Sequence, residues 1–182
     1  MDPTRTLENI ALIGFMGTGK SSVGQMVAGL LHFRFVDTDQ MIEERAGKSI
    51  ARIFAEEGEP RFREYEREVV AHLSTFRQCV IATGGGLAAT EGNLDLLKKH
   101  ALTICLWASP ESIWRRVAHQ NHRPLLQGPD PLEKIRELMA QRDPHYRKAD
   151  VLINTEMRSP KEVAQQVCLQ YRLARQSHAQ PS

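Results

Sequence analysis

The class of fold is decided by one stretch near the N-terminus, Gly14-Phe15-Met16-Gly17-Thr18-Gly19-Lys20-Ser21. It matches the phosphate-loop pattern of a glycine, four residues and then Gly-Lys-Ser or Gly-Lys-Thr. An apolar run typical of a buried strand, residues 10–13, precedes it, and residues 22–31 follow with the apolar spacing of a helix. We therefore predict that the loop binds a nucleotide; the alternative is a glycine-rich turn that precedes Lys-Ser by chance.

The residue types in this loop suit the chemistry of phosphate binding. Glycines let backbone N–H groups converge on a small volume, and the helix N-terminus adds partial positive charge. Lys20 would reach the β- and γ-phosphates, and the hydroxyl of Ser21 would ligate Mg²⁺.

Composition narrows the class of protein further. The 182 residues suit one domain with a sizeable core, and the net charge of +2 comes from interleaved basic and acidic residues. The three cysteines include no Cys-x-x-Cys pair, and we interpret Cys79 and Cys105 as buried thiols. No segment has the length of a membrane span, and the N-terminus lacks a signal pattern. We expect a cytoplasmic protein that binds neither nucleic acid nor membranes.

Strand patterns alternate with helix patterns along the rest of the chain. Later strands are predicted at residues 33–37, 79–83, 102–107 and 151–154. Helices are predicted between them, including one at 60–74, one at 90–99, one from 131 with a break at Pro144, and a last one ending near Arg175. This alternation favours a parallel sheet covered on both faces, with ligands at the carboxyl ends of the strands.

Two acidic residues follow the second predicted strand. Asp37 ends that strand, where a carboxylate would hold Mg²⁺ through the ion's water ligands if the strand lies close to the phosphate loop. Asp39 would accept a hydrogen bond from a substrate hydroxyl, or take its proton. The alternative for this stretch is helix capping by Thr38 or Asp39.

Arginines and glycines further along the chain are candidates for anion binding. Arg63 has the planar fork that grips a carboxylate or phosphate, and Glu66 would hold it in place; the alternative is an exposed helix salt bridge. The three glycines 84–86 at a strand end suggest close backbone approach to a ligand. Arg123, in a loop rich in proline, and Arg142 are further candidates, each with the alternative of a solvated surface charge.

These motifs together resemble those of the shikimate kinases. They occur in the order and spacing of that family and extend over residues 10–160. The matching segments are the phosphate loop, Asp37-Thr38-Asp39, Phe62-Arg63-x-x-Glu66, Gly84-Gly85-Gly86, Arg123-Pro124-Leu125-Leu126 and Arg142-x-Pro144-x-Tyr146.

The resemblance implies a three-layer α/β/α P-loop kinase fold with a five-stranded parallel sheet in the order 2-3-1-4-5. It also implies a substrate-binding helical region and a mobile lid at residues 119–130. The expected organisation is one domain, residues 1–175, with a disordered tail at 176–182, acting as a monomer. The implied reaction is the ATP-dependent, Mg²⁺-requiring phosphorylation of the 3-hydroxyl of shikimate.

The family roles are carried over residue by residue. The implied catalytic set is Lys20, Asp39 and Arg123. The implied ATP-binding residues are Gly17, Thr18, Gly19, Lys20, Ser21, Ser22, Arg116, Arg123, Arg158 and Pro160. The implied shikimate contacts are Asp39, Arg63, Gly84, Gly85, Gly86 and Arg142, with Mg²⁺ at Ser21 and Asp37.

Within these sets the resemblance implies distinct tasks. Asp39 would orient the attacking hydroxyl, Arg63 and Arg142 would grip the carboxylate, and the glycines would offer backbone N–H groups. Arg123 would reach over the transferred phosphate as the lid closes, and Arg116 would pack on adenine. Two alternatives stay open: a kinase of the same fold acting on another hydroxylated acid such as gluconate, and a non-catalytic nucleotide-binding module.

Overall fold

The computed structural model describes residues 5–119 and 130–179. The elements in these ranges are β1 (Asn9–Ile13), α1 (Lys20–Leu31), β2 (Arg34–Asp37), α2 (Thr38–Ala46), α3 (Ile50–Glu56), α4 (Gly58–Leu73), β3 (Cys79–Ala82), a 3₁₀ turn (Leu87–Ala89), α5 (Asn93–His100), β4 (Ala101–Trp107), α6 (Pro110–Val117), α7 (Pro131–Tyr146), β5 (Val151–Asn154) and α8 (Pro160–Ala179).

The strands form one five-stranded sheet in the order β2-β3-β1-β4-β5, and every pairing is parallel. Leu12 of β1 lies opposite Ala82 of β3 and Ile104 of β4, so the central strand is paired on both sides. Asp37, the last residue of β2, lies opposite Ala82. The parallel sheet and its predicted strand order are confirmed.

Both faces of the sheet are covered, because successive side chains of a strand point to opposite faces. Ile10 and Leu12 of β1 pack in one cluster with residues of α1 and α8, such as Val27 and Val167. Ala11 packs on the other face with residues of α2, α4 and α5. Ile13 joins a cluster on that same face with α6 and α7. The prediction of three layers is therefore confirmed.

Some helix boundaries differ from the predicted ones. The helix predicted from residue 60 begins at Gly58, and α5 begins at Asn93. The break predicted at Pro144 is absent: α7 continues past this proline to Tyr146, although proline has no N–H to donate to the carbonyl of Ala140. α8 extends to Ala179, beyond the predicted end near Arg175. No glycine or proline occurs between Pro160 and Pro181 to stop it, and the helix therefore includes residues 176–179 of the segment expected to be a tail.

The interior agrees with the composition. Cys79, Cys105 and Cys168 are buried free thiols, as predicted for the first two. No helix in the described ranges is both long and apolar enough to cross a membrane.

A buried ion pair lies at the edge of the sheet where β4 and β5 begin. Arg5 donates to both carboxylate oxygens of Asp150, and both side chains are nearly buried. Thr103 donates to the same carboxylate through its N–H (2.8 Å) and its hydroxyl (2.6 Å). Burial opposes ionisation of Asp150, but the hydrogen bonds from Arg5 and Thr103 outweigh it and lower its pKa from 3.8 to about 2.

We predict that Asp150→Asn destabilises the protein by about 2–4 kcal/mol near neutral pH, because it leaves Arg5 buried without its counter-charge. For a domain of this size, the Tm falls by roughly 5–15 °C. Since folding lowers the pKa of Asp150, its stabilisation is present above about pH 4 and is lost as the pH falls toward about 2. Thermal unfolding of the wild type and the variant, followed by circular dichroism near neutral pH and at about pH 2, measures the effect.

The control is Glu91→Gln, which neutralises an exposed carboxylate in the turn before α5. We expect it to leave the Tm within about 2 °C of the wild type, as is usual for exposed sites. Equal Tm values for the wild type and Asp150→Asn near neutral pH would contradict the assigned stabilising role.

Candidate active site

The phosphate loop connects β1 to α1 in a conformation that requires glycine. Gly14 has φ 133°, and a Cβ there would lie 2.3 Å from the carbonyl oxygen of Leu106. Gly17 has φ 76°, and its Cβ would lie 2.7 Å from Val117. Gly19 has φ 93° and caps α1. The loop therefore packs closely against the end of β4 and against α6, and a side chain at Gly14 or Gly17 would collide with them.

Lys20 lies inside this loop and is nearly buried. Its ammonium donates to the carbonyl oxygens of Gly14 and Phe15, each at 2.9 Å. The hydroxyl of Thr18 also donates to Phe15 O, at 2.8 Å. The lysine therefore holds the loop in shape from within, at the place predicted for phosphate binding.

Asp37 faces the phosphate loop, as predicted from its position at the end of β2. The hydroxyl of Ser21 donates to its Oδ2 at 3.1 Å. Its Oδ1 accepts from the N–H of Asp39 at 3.0 Å and so caps α2. Capping does occur here, but by Asp37 rather than by Thr38 or Asp39, and one carboxylate serves both contacts.

The pair formed by Ser21 and Asp37 suits a Mg²⁺ ion that phosphates and water complete. Neighbouring ligands of an octahedral Mg²⁺ ion lie about 3 Å apart, since its bonds are about 2.1 Å long. The 3.1 Å between Ser21 Oγ and Asp37 Oδ2 is close to that spacing. Within residues 5–119 and 130–179, no group of three or more His, Cys, Asp or Glu side chains could hold a metal alone.

Asp39 lies directly against the backbone of Gly84. A Cβ on Gly84 would be 2.4 Å from Asp39 Oδ1, so only glycine leaves room for this carboxylate. The buried Thr38 accepts a hydrogen bond from the N–H of Gly84 at 2.9 Å. This N–H is therefore not free for a ligand, contrary to the expectation for all three glycines. Among the described residues, the N–H groups of Gly85 and Gly86 have no partner and stay available.

The environment of Asp39 raises the pKa of its carboxyl from 3.8 to about 6. Burial is the largest cause, followed by the charge of Asp37; Glu66 and Glu43 add to the shift, whereas Lys20 opposes it. The carboxylate is thus mostly ionised near neutral pH but close to the range where it accepts a proton, which suits a group that interacts with a hydroxyl.

The guanidinium of Arg63 is held by two carboxylates of its own helix, α4. Its Nη1 donates to Glu66 Oε2 at 2.7 Å and its Nη2 to Glu59 Oε1 at 2.7 Å. The side chain of Glu66 is only 1% exposed and also accepts from the hydroxyl of Thr90 at 3.1 Å. The pair with Glu66 is therefore not an exposed salt bridge. A Cβ on Gly86 would lie 3.0 Å from Arg63 Nη1, so the guanidinium abuts the glycine run.

Arg142 reaches the same run from α7. Its Nη1 donates to Gly85 O at 3.3 Å, and its guanidinium carbon lies 5.5 Å from the ring centre of Phe15. The hydroxyl of Tyr146 donates to the same carbonyl at 2.5 Å. The fold thus gathers Asp39, Arg63 and Arg142 around three consecutive glycines.

The residues predicted to contact the nucleoside differ in how close they lie to the phosphate loop. Arg116 donates to Thr155 Oγ1 and Thr155 O, each at 2.9 Å, and to Gly17 O at 3.3 Å, beside the phosphate loop. Arg158 is exposed and donates to the side chain of Gln166 on α8. Pro160 is the exposed first residue of α8. Arg123 and the lid around it lie outside the described residues, apart from the ends of the lid at 119 and 130.

A cleft of about 370 Å³ lies along the phosphate loop and extends to Asp39 and Gly85. It is lined by Met16, Gly17, Gly19, Lys20, Ser21, Ser22, Asp37, Asp39, Thr83, Gly85 and Arg116. Sequence reasoning missed Thr83, Thr155 and Glu59 as residues of the site, and it gave Thr38 only a capping role. Each of these follows a strand or lies one helical turn from a predicted residue, which is the signal that would have pointed to them.

We predict that Asp39→Asn stabilises the folded protein while removing the proposed reactive group. Above about pH 6, ionised Asp39 destabilises the fold by about 1–3 kcal/mol, because its pKa is raised on folding. This penalty develops between the unfolded pKa of 3.8 and the folded value of about 6, so the variant gains nothing at lower pH.

Thermal unfolding without Mg²⁺ or nucleotide tests this. We expect the Tm of Asp39→Asn to exceed that of the wild type by several degrees at about pH 8 and to equal it at about pH 4. A lower Tm for the variant at the higher pH would refute the raised pKa.

Comparison with known proteins agrees with this arrangement. A family model for shikimate kinase matches residues 16–172. A shikimate kinase of Thermodesulfovibrio yellowstonii is 46% identical over 165 residues, covering 91% of this chain and 95% of its own. The structure of a shikimate kinase from Acinetobacter baumannii in complex with shikimate covers 94% of this chain and 96% of its own, with a TM-score of 0.86 and 38% identity.

A gluconokinase from Sinorhizobium meliloti also matches, with a TM-score of 0.65 over 98% of this chain and 99% of its own, but at only 18% identity. That likeness shows a shared fold alone. The relatives above share sequence as well as fold over nearly the whole chain. By family match, sequence identity and structure, this chain belongs to the shikimate kinase family.

Proposed function

We propose that this protein transfers the γ-phosphoryl group of ATP to the 3-hydroxyl of shikimate, giving shikimate 3-phosphate and ADP. This step belongs to the synthesis of chorismate and the aromatic amino acids. The observation that carries the proposal is the gathering of Asp39, Arg63 and Arg142 around glycines 84–86, with Asp39 and Gly85 lining the same cleft as the phosphate loop.

The donor half of the cleft binds the nucleotide. The phosphate loop, with Lys20, would receive the phosphates, and Ser21 with Asp37 would hold Mg²⁺. When bound there, Mg²⁺ would neutralise part of the negative charge of the phosphates. Lys20 already lies within the loop, so little reorganisation is needed to bring its ammonium to a bound phosphate. The base would lie beside Arg116, with Arg158 and Pro160 bordering it.

The acceptor half recognises a hydroxylated carboxylate. Two guanidinium groups, Arg63 and Arg142, converge on the glycine run and suit a single carboxylate. Glu66 keeps Arg63 oriented, so little side-chain entropy is lost when an anion binds. The N–H groups of Gly85 and Gly86 would add donors, and Asp39 would accept the proton of the 3-hydroxyl or hold that hydroxyl in line.

Further properties follow as proposals from family membership and from the sequence. We infer a single domain with a lid at residues 119–130, in which Arg123 would reach the transferred phosphate and closure would exclude water. We also infer a monomer in the cytoplasm; size-exclusion chromatography with light scattering tests the oligomeric state.

The assay for the proposed activity is ADP release coupled to a spectrophotometric readout, with shikimate, gluconate and nucleoside monophosphates as separate acceptors. We expect turnover with shikimate only, dependent on Mg²⁺. Asp39→Asn should lower kcat by about 10²-fold or more, since it removes a group that accepts a proton, while the affinity for ATP changes little.

Two outcomes would count against the proposal. Absence of ADP release with shikimate would refute the activity, and equal turnover with gluconate would favour the alternative acceptor. Full turnover by Asp39→Asn would leave the activity in place but refute the role given to Asp39.

A second variant tests the steric arrangement of the site. Gly84→Ala would place a Cβ 2.4 Å from Asp39 Oδ1 and must displace that carboxylate. We expect kcat/KM for shikimate to fall by roughly 10²-fold, the scale expected when a catalytic group is misplaced by about 1 Å. The KM for ATP should stay within about threefold, because the phosphate loop is separate from Gly84.

The matched control is Gly29→Ala on α1, where a Cβ would meet no atom within 4 Å. It should leave both KM values unchanged and stabilise the helix slightly. Wild-type kcat/KM for Gly84→Ala would show that Asp39 does not need its position against the glycine backbone.

A further inference from the structure

The segment that follows β5 is joined to α6 at both ends of that helix. Near its C-terminal end, Arg116 donates to the side chain and the carbonyl of Thr155, each at 2.9 Å. Thr155 is itself nearly buried and donates from its N–H to Trp107 O at 2.8 Å. Arg116 also contacts Gly17 O at 3.3 Å, so this connection extends to the phosphate loop.

The next residue, Glu156, forms the connection at the N-terminal end of α6. Its Oε1 accepts three hydrogen bonds: from the hydroxyl of Ser109 at 2.5 Å, the N–H of Ser109 at 3.2 Å and the hydroxyl of Ser112 at 2.6 Å. These bonds lower the pKa of Glu156 to about 2, led by that from the Ser109 hydroxyl, so the carboxylate is ionised near neutral pH. A negative charge at a helix N-terminus is also favourable.

Beyond Glu156 the chain leaves the body of the protein. Residues 157–160 are exposed, and Met157 is in the left-handed region with φ 54°. Among the described residues, the attachments of this stretch are to α8, through Glu162 on Ser159 and through Gln166 on Arg158. Glu156 is therefore the last contact that ties this segment to α6 and the phosphate-loop side of the cleft.

We propose that Glu156 is a positioning residue for the nucleoside part of the nucleotide. Arg116 itself fixes Thr155, and Glu156, by bonding to the first turn of α6, fixes where the exposed residues 157–160 continue from there, so that a base enters a preformed slot. The inference rests on the proposed function, since that places the base beside Arg116 and Pro160. It adds a residue that does not touch the nucleotide but decides how tightly the nucleoside binds.

The test compares Glu156→Ala and Glu156→Gln with Glu111→Gln, which neutralises an exposed carboxylate on the same helix whose side-chain partner is Arg136. We expect Glu156→Ala to raise the KM for ATP about tenfold while kcat and the KM for shikimate stay within about twofold. Glu156→Gln should show a smaller rise, about threefold, because its amide oxygen still accepts from the serine hydroxyls. Glu111→Gln should change nothing.

A binding experiment separates the base from the phosphates. ADP and inorganic tripolyphosphate are titrated into each variant by calorimetry. We expect Glu156→Ala to weaken ADP about tenfold and to leave tripolyphosphate unchanged, because tripolyphosphate has no base to place. If Glu156→Ala fails to fold, Glu156→Gln carries the same comparison.

Two results would overturn the inference. A lower Tm with unchanged ADP affinity would make Glu156 a helix cap only, and an equal loss for ADP and tripolyphosphate would place its effect on the phosphate loop. Because the titrations need no turnover, they decide the role of Glu156 even if shikimate proves not to be the acceptor. Failure of the wild type to phosphorylate shikimate would count against the proposed function alone.

Discussion

Every strand of the sheet runs in the same direction, and the site depends on that constraint. Parallel strands place all of their carboxyl ends, and the loops that follow them, at one edge. The phosphate loop after β1, Asp37 at the end of β2 and the glycine run after β3 therefore meet, although the last lies some seventy positions from the first. A slip in register would separate Asp37 from Ser21, whose oxygens are 3.1 Å apart.

Within that edge, the absence of side chains is as important as their presence. Gly84 and Gly86 leave the space into which Asp39 and Arg63 project, and Gly14 lets the phosphate loop lie against β4. The carboxylate packed in this way has a raised pKa, which is unfavourable for stability. At the other edge Asp150 has a lowered pKa and stabilises the fold. The pKa of Asp39 is thus raised at the carboxyl ends of the strands, whereas that of Asp150 is lowered at the opposite edge of the same sheet.

The family match and the fold bear out much of what the local patterns predicted, and the exceptions have physical causes. Patterns of apolar residues predicted the strands and the parallel sheet, since buried strands are apolar along their length. Helix ends were less predictable: α7 continues past Pro144 to Tyr146, whose hydroxyl is held by Gly85 O from the loop after β3. Helix capping by Thr38 or Asp39 was the alternative for the start of α2, but Asp37 provides the cap, while Thr38 accepts a hydrogen bond from Gly84 in the loop after β3. Such a bond depends on which loops become neighbours.

The short-range features of this protein are determined by residues that are close together along the chain. The phosphate loop, the family motifs and the alternation of strand and helix follow from local spacing and backbone preference, so they could be read without a structure. The burial of Glu66, the contact between Asp39 and Gly84, and the bonds from Glu156 to α6 could not. Each joins residues that meet only after the sheet has assembled, and burial and electrostatic shifts depend on all neighbours in space rather than on neighbours along the chain.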